Sequence, residues 1–282
     1  MSTVPTATGA PSSPPAAPGG RRPRREGSRV AGFLKTVAWP LLTVVVISIV
    51  WEIVSRSGMV NEIILPPPSD VAVAGWELMQ ESYFWEATWV TLQEALLGFL
   101  IGCAIAVILG TLITFSRPIR LSIYPLAVGF QNTPRVALAP LFLIWFGFGL
   151  ASKVLMAAAT CFFPVLIAVV VATETIDRDA RTLMRSFGAS RWETYRKLEL
   201  PASLPLLFSG FKQAITFALI GAIVAEFVGG DEGLGVLITQ FNFQLAVAEG
   251  FFVIVALMVI GLVLYGLIEL IDRKFVFWRD AR

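Results

Sequence analysis

The feature that most constrains this chain is a series of apolar blocks, each about 20 residues long, the length an α-helix needs to cross a hydrocarbon core about 30 Å thick. Six blocks are read, at 33–54, 87–115, 121–146, 154–176, 204–228 and 251–271. They are continuous, not the short alternating runs of half-buried strands. Composition agrees, with 56% of residues hydrophobic and 15% charged, against about 45–50% and about 25% in soluble domains. The expectation is an all-α integral membrane protein with six transmembrane helices.

The 22 basic and 20 acidic residues nearly cancel, so their arrangement is what informs. With the N-terminus inside, eighteen of the 22 basic residues fall on one side: in the N-terminal segment, at Arg117 and Arg120, in 177–200, and beyond 271. The other side holds Arg56 and Lys153 beside Glu62, Asp70, Glu77, Glu81, Glu86, Asp231, Glu232 and Glu249. Basic residues concentrate on cytoplasmic flanks, so both termini are expected in the cytoplasm. The first 20 residues are a Pro, Ala, Ser, Thr and Gly mixture that cannot bury enough apolar surface to offset its ordering entropy. The Arg-rich stretch after them leads into the first span without a cleavage-site pattern. The expected organisation is a disordered cytoplasmic tail at 1–30, a transmembrane domain at 31–275 with a cytoplasmic loop at 177–201, and a cytoplasmic tail at 276–282.

Absences narrow the function. The chain has no histidine, which removes Ser/His/Asp triads, Cys/His nucleophiles, histidine zinc sites and histidine proton relays. Cys103 and Cys161 lie in separate apolar blocks and read as buried free thiols. No G-x4-G-K-[ST] phosphate cradle occurs. No metal or cofactor is expected on this chain, no catalytic residue, and no nucleic-acid partner.

Several segments stand out. The 61–83 stretch contains Pro66-Pro67-Pro68-Ser69-Asp70 and reads as an outside loop in which Ser69 or Asp70 caps a short surface helix. The third span is interrupted by Pro125, Pro134 and Pro140 and carries Gln131, Asn132, Thr133 and Arg135, and broken backbone at membrane depth belongs where protein or a cavity surrounds it. Glu94, Lys212 and Glu226 also fall in or near spans, where ionisable groups are functional candidates or interhelical ion pairs. Arg135 has two readings: a structural pair with Glu226 or Glu94, or a place in a transport path beside Pro134. The glycine-rich run from Gly229 to Gly235, with Gly233 inside it, reads as an outer gate or re-entrant hairpin, or as a plain exposed turn. We take Gln131, Asn132, Pro134, Arg135, Glu226, Gly229 and Gly233 as candidates for the translocation path and its gate.

The polar segment 177–201 holds two amphipathic stretches, 181–187 and 190–198, around Gly188-Ala189. That pattern predicts helix, glycine turn and second helix, ended at Leu200-Pro201. By composition it is either a docking knob or a basic loop held at anionic headgroups.

The run Thr182-Leu-Met-Arg-Ser-Phe-Gly188, nine further residues, then Leu198-Glu-Leu-Pro201 resembles the E-A-A-x3-G-x9-I-x-L-P loop of permease subunits in type I ABC importers. Thr182-Leu183-Met184 stands where that motif begins Glu-Ala-Ala. Within the family the chain is most similar to the nitrate, sulfonate and taurine branch, through 185–191, Pro134-Arg135-Val-Ala-Leu-Ala-Pro140, Trp145-Phe-Gly-Phe-Gly149, Ala225-Glu226-Phe-Val-Gly229 and Gly233-Leu-Gly235. The resemblance, over roughly 60–275, implies a six-span permease in the inner (plasma) membrane of a prokaryote. It further implies two separate ATPase subunits that carry ATP and Mg, a second permease copy in a homodimer, and an external substrate-binding protein. Arg185, Ser186, Phe187, Gly188, Ala189, Ser190, Arg191, Leu200 and Pro201 would then couple the permease to the ATPase. The implied cargo is a small organic or inorganic anion, with a vitamin precursor or other heterocycle as the second class. A self-sufficient secondary transporter or channel is the rival, though neither internal repeats nor an ion-coupling carboxylate cluster is evident.

Overall fold

The computed structural model describes residues 27–61, 63–131 and 133–277. The expected tail at 1–26, the end at 278–282, Glu62 and Asn132 lie outside them. The described residues are helical throughout, with no strand. They fall into two units, 1–50 and 51–282. Helix α1 (Gly27–Arg56) supplies the described part of the first unit and runs on to Arg56. Its start at Gly27 lies inside the segment predicted as tail. The second unit holds α2 (Pro68–Leu78), α3 (Ser82–Phe115), α4 (Arg117–Gln131), α5 (Ala139–Phe146), α6 (Leu150–Glu174), α7 (Arg178–Ser186), α8 (Arg191–Thr194), α9 (Leu200–Gly229), α10 (Leu234–Gln244) and α11 (Val247–Phe275).

Five helices are long and apolar enough to cross a bilayer: Ala38–Arg56 in α1, then α3, α6, the helix ending at Gly229, and α11. The predicted span at 121–146 is not one helix. It is α4, a 3-10 turn (Arg135–Leu138) and α5. Pro134 precedes the turn and Pro140 opens α5, and a proline removes a helical donor and crowds the preceding turn.

The core is three mutually packed helices, α3, α6 and α9, with α6 making the most extensive contact with the other two. Lipid tails are as apolar as leucine, so spans associate through close packing, and small residues permit it. A Cβ on Gly98 would overlap Ala157, and one on Gly102 would lie 2.7 Å from the Ala158 carbonyl oxygen. Towards α9, Gly210 and Gly221 meet Ala168 and Thr160 of α6 in the same way. Thr160 Oγ donates to the Phe217 carbonyl at 2.9 Å, tying α6 to α9. Cys103 and Cys161 are buried and free, as expected.

One local expectation is corrected. α2 is capped by neither Ser69 nor Asp70: it starts at Pro68, after Pro67, whose φ of −62° already suits the first turn. Ser69 serves instead as a donor, its N–H and hydroxyl meeting Glu52 at 3.1 and 2.8 Å. Lys153, expected at the outer flank, lies in the first turn of α6, where it is buried.

Candidate functional site

The knob at 177–201 is built by its own sequence. Asp177 caps α7 by accepting the Asp179 N–H at 2.9 Å. The helix ends where Gly188 adopts φ +75°, a left-handed conformation that glycine takes without a Cβ penalty. The Gly188 and Ala189 amides then reach back to the Arg185 and Met184 carbonyls at 2.9 and 3.1 Å, a Schellman closure that satisfies the last carbonyls of α7. Ser190 starts α8 with a reciprocal capping box to Glu193, two donors being satisfied at once. Arg181 braces the knob against the bundle, bonding Glu199 at 2.7 Å and the Thr173 carbonyl. Leu183, Phe187 and Trp192 are left exposed, Phe187 at 79%.

The expected break at Leu200-Pro201 does not occur. α8 passes through a π turn (Tyr195–Glu199) into α9, with the Leu200 amide bonding the Tyr195 carbonyl. Pro201 sits in the first turn of α9, and as the helical path continues through it from the π turn, its missing N–H removes one backbone donor at the joint. Knob and span are one continuous helical path.

A second cluster lies at the other end of α9. Glu226 is 2% exposed and accepts the Thr91 hydroxyl of α3 at 2.6 Å and the Gly235 N–H of α10 at 2.5 Å. Thr91 Oγ in turn accepts the Leu234 N–H at 2.8 Å. The carboxyl group therefore receives the first amides of α10 directly and through Thr91, where helix donors have no partner of their own. Gly233, at φ +120°, and Gly235 both border the carboxyl, and a Cβ on either would collide with it. Lys153 Nζ lies 3.2 Å from Glu94 and 3.4 Å from the Glu232 carbonyl. The glycine-rich run is thus more than an exposed turn: α10 folds back and buries Leu234, Leu237, Ile238 and Phe241.

Arg135 stands apart from these acids. Its guanidinium donates to the Thr160 carbonyl at 2.9 Å and the Gln131 carbonyl at 3.3 Å. It lies 5.2 Å from the Phe217 ring centre and 6.0 Å from that of Phe163, within cation–π range. The expected pair with Glu226 or Glu94 is not formed, since Glu94 holds Lys153 and Glu226 holds Thr91 and Gly235. Glu94 and Lys212 are each in an interhelical pair, Lys212 with Asp272 at 2.6 Å and with Glu269.

Among the path and gate candidates, Glu226 and Gly233 come together with α10, Gly229 faces Leu143 and Phe148, and Gln131, Pro134 and Arg135 gather at the break in the third span. Thr91, Lys153, Phe163 and Phe217 are site residues that sequence reasoning missed. Each reads as ordinary in an apolar block or at its edge.

The profile of the family described as binding-protein-dependent transport system inner membrane component matches residues 84–277. A riboflavin transport system permease protein of Chloroflexus aurantiacus is 38% identical, covering 88% of this chain and 94% of its own. A probable ABC transporter permease protein of Haemophilus influenzae is 35% identical, covering 84% and 96%. A putative aliphatic sulfonates transport permease of Bacillus subtilis is 29% identical, covering 92% of each chain. Among solved structures, a chain of the inward-facing MetNI methionine ABC transporter aligns with a TM-score of 0.61 at 18% identity, covering 68% of this chain and 96% of that one.

Proposed function

This chain belongs to the binding-protein-dependent transport system inner membrane component family, and on that premise we propose how its parts divide the work of an ABC permease. The subunit carries no chemistry of its own. ATP and Mg belong to two separate ATPase subunits, which dock on the 177–201 knob. The permease acts as a homodimer that receives its solute from an external binding protein, with residues 31–275 as the permease domain and both termini in the cytoplasm.

The observation that supports coupling best is the construction of the knob. Its turn is fixed by the Gly188 closure and the Ser190–Glu193 box, its outer face offers Leu183, Phe187 and Trp192, and its far end runs unbroken into α9. Motion of a docked ATPase then moves α9, whose other end carries Glu226 and, through it, α10. Leu200 and Pro201 are the joint between the two.

For the cargo, the guanidinium of Arg135 favours a small organic or inorganic anion passing the break in the third span, with Gln131 and Pro134 beside it. A second reading, a planar heterocycle, is favoured by the riboflavin permease relative and by the rings of Phe163 and Phe217 next to the guanidinium. The test is uptake by the reconstituted complex. Arg135→Ala should lower it while basal ATPase activity persists, and Arg135→Lys should recover part of the loss for an anion. Undiminished uptake in Arg135→Ala removes this residue from the path. Ligand screening of the partner binding protein separates the two cargo classes.

A further inference from the structure

Between the knob and the ends of α3, α4 and α6 lies a half-open cleft of about 630 Å³. Arg120, Arg181, Arg185 and Arg191 line it, with Glu174 and Glu199. The two acids are already committed, Glu174 to Arg120 and Glu199 to Arg181. Arg185 and Arg191 have no carboxylate within 4 Å among the described residues, so the cleft carries a surplus of two positive charges. Its floor adds two hydroxyls, Thr114 and Thr173, 3.2 Å apart.

The position of the cleft decides what such a charge surplus serves. α3 and α6 end here at Phe115 and Glu174, and α4 begins at Arg117, so the cleft sits where apolar spans give way to polar chain. Phe115 and Leu121, both exposed, border it on the span side. A ligand matched to these walls is anionic at one end and apolar at the other. We propose that the cleft binds the phosphate of an anionic phospholipid headgroup between Arg185 and Arg191, with the acyl chains lying along Phe115 and Leu121.

This site faces the bundle, whereas Leu183, Phe187 and Trp192 form the exposed apolar face of the knob. Lipid in the cleft and a protein on the knob therefore occupy different surfaces. The lipid would hold the knob against the ends of α3, α4 and α6, and its headgroup would set how far the knob can move. The inference needs only that the spans end at this cleft, so it stands whether or not the ATPase docks as proposed above.

The test is native mass spectrometry of the full-length chain in neutral detergent, offered dioleoylphosphatidylglycerol, dioleoylphosphatidylcholine or inorganic phosphate. The phosphatidylglycerol should be retained over the phosphatidylcholine. Each of Arg185→Gln and Arg191→Gln should cut that preference about fivefold, the contribution of one basic residue near an anionic surface. Arg185→Lys with Arg191→Lys should keep most of it, and Lys274→Gln, at the end of α11, should not change it. Equal retention of the two lipids, or a preference untouched by the glutamine variants, overturns the proposal. Displacement of the lipid by equimolar inorganic phosphate makes this a free-anion site and rejects the lipid. Displacement by added ATPase subunit assigns the cleft to that protein and rejects it too.

Discussion

The Glu226 carboxyl group receives the Gly235 amide at 2.5 Å, which fastens the N-terminus of α10 to a span nine residues earlier in the chain. The bond is possible because residues 233 and 235 are both glycine, leaving room for the carboxyl where a Cβ would stand. Thr91 extends the link to α3. One acid thereby joins three helices at the end of the bundle opposite the knob.

Removing that acid should loosen α10 specifically. Glu226→Ala leaves the Gly235 N–H without its acceptor, at about 1–3 kcal/mol for a buried donor left unpaired, while the Thr91 hydroxyl keeps the Ala87 carbonyl at 3.2 Å. Hydrogen exchange across 234–244 should accelerate while α6 stays protected. Gly233→Ala should act in the same direction, because its φ of +120° and the adjacent carboxyl both exclude a methyl group. Unchanged exchange in both variants would show that α10 is held by its apolar face alone.

Gly188 should be the most sensitive position of the knob. Its φ of +75° is unfavourable for any side chain, by roughly 1–2 kcal/mol for an ordinary L-residue, and more for a β-branched one. Gly188→Ala should weaken retention of the ATPase during purification, and Gly188→Val should abolish it with membrane insertion intact. Space is not the issue, since nothing lies within 4 Å of a Cβ built there. Full ATPase retention and uptake in Gly188→Val would reduce the knob to a linker.

Much of this was legible from residues alone, and the limits follow from range. Apolar blocks report spans because the bilayer imposes their length, and Gly188 between two amphipathic stretches reports a left-handed turn. The Thr91–Glu226 bond joins residues 135 apart, and nothing in an apolar block marks one threonine as a donor to a distant helix. The prolines announced a broken third span without saying that a 3-10 turn would carry Arg135. The π turn at 195–199 left no trace, so Leu200-Pro201 read as a stop. Gly98 and Gly102, four residues apart on α3, were a usable signal for close helix approach.

Side assignment is checked by labelling. Asp179 and Asp231 are both exposed, and the proposed topology puts them on opposite faces of the membrane. With the buried thiols Cys103 and Cys161 replaced by alanine, Asp231→Cys should react with an impermeant maleimide on intact cells. Asp179→Cys should react only after permeabilisation. Equal labelling of the two from outside would reject cytoplasmic termini.

The pair between α9 and α11 makes a quantitative prediction, because its two acids differ in exposure. Lys212 Nζ contacts both Asp272, at 2.6 Å, and Glu269, and their side chains are 0% and 25% exposed. Water can take over at Glu269 when the lysine is removed, whereas Asp272 loses it inside the protein. Breaking a buried pair by deleting one partner costs about 3–5 kcal/mol, while replacing both partners with apolar groups is often neutral. Lys212→Met should therefore lower the thermal midpoint of the purified permease sharply, and Lys212→Met with Asp272→Leu should restore most of it. Lys212→Met with Glu269→Leu should restore little, since water already takes over at the exposed acid. Equal rescue by the two second-site changes would mean that the lysine serves both carboxylates alike, and no rescue by either would mean that α9 and α11 are held together by packing, with Phe208 and Phe275 stacked 6.4 Å apart as its visible contact.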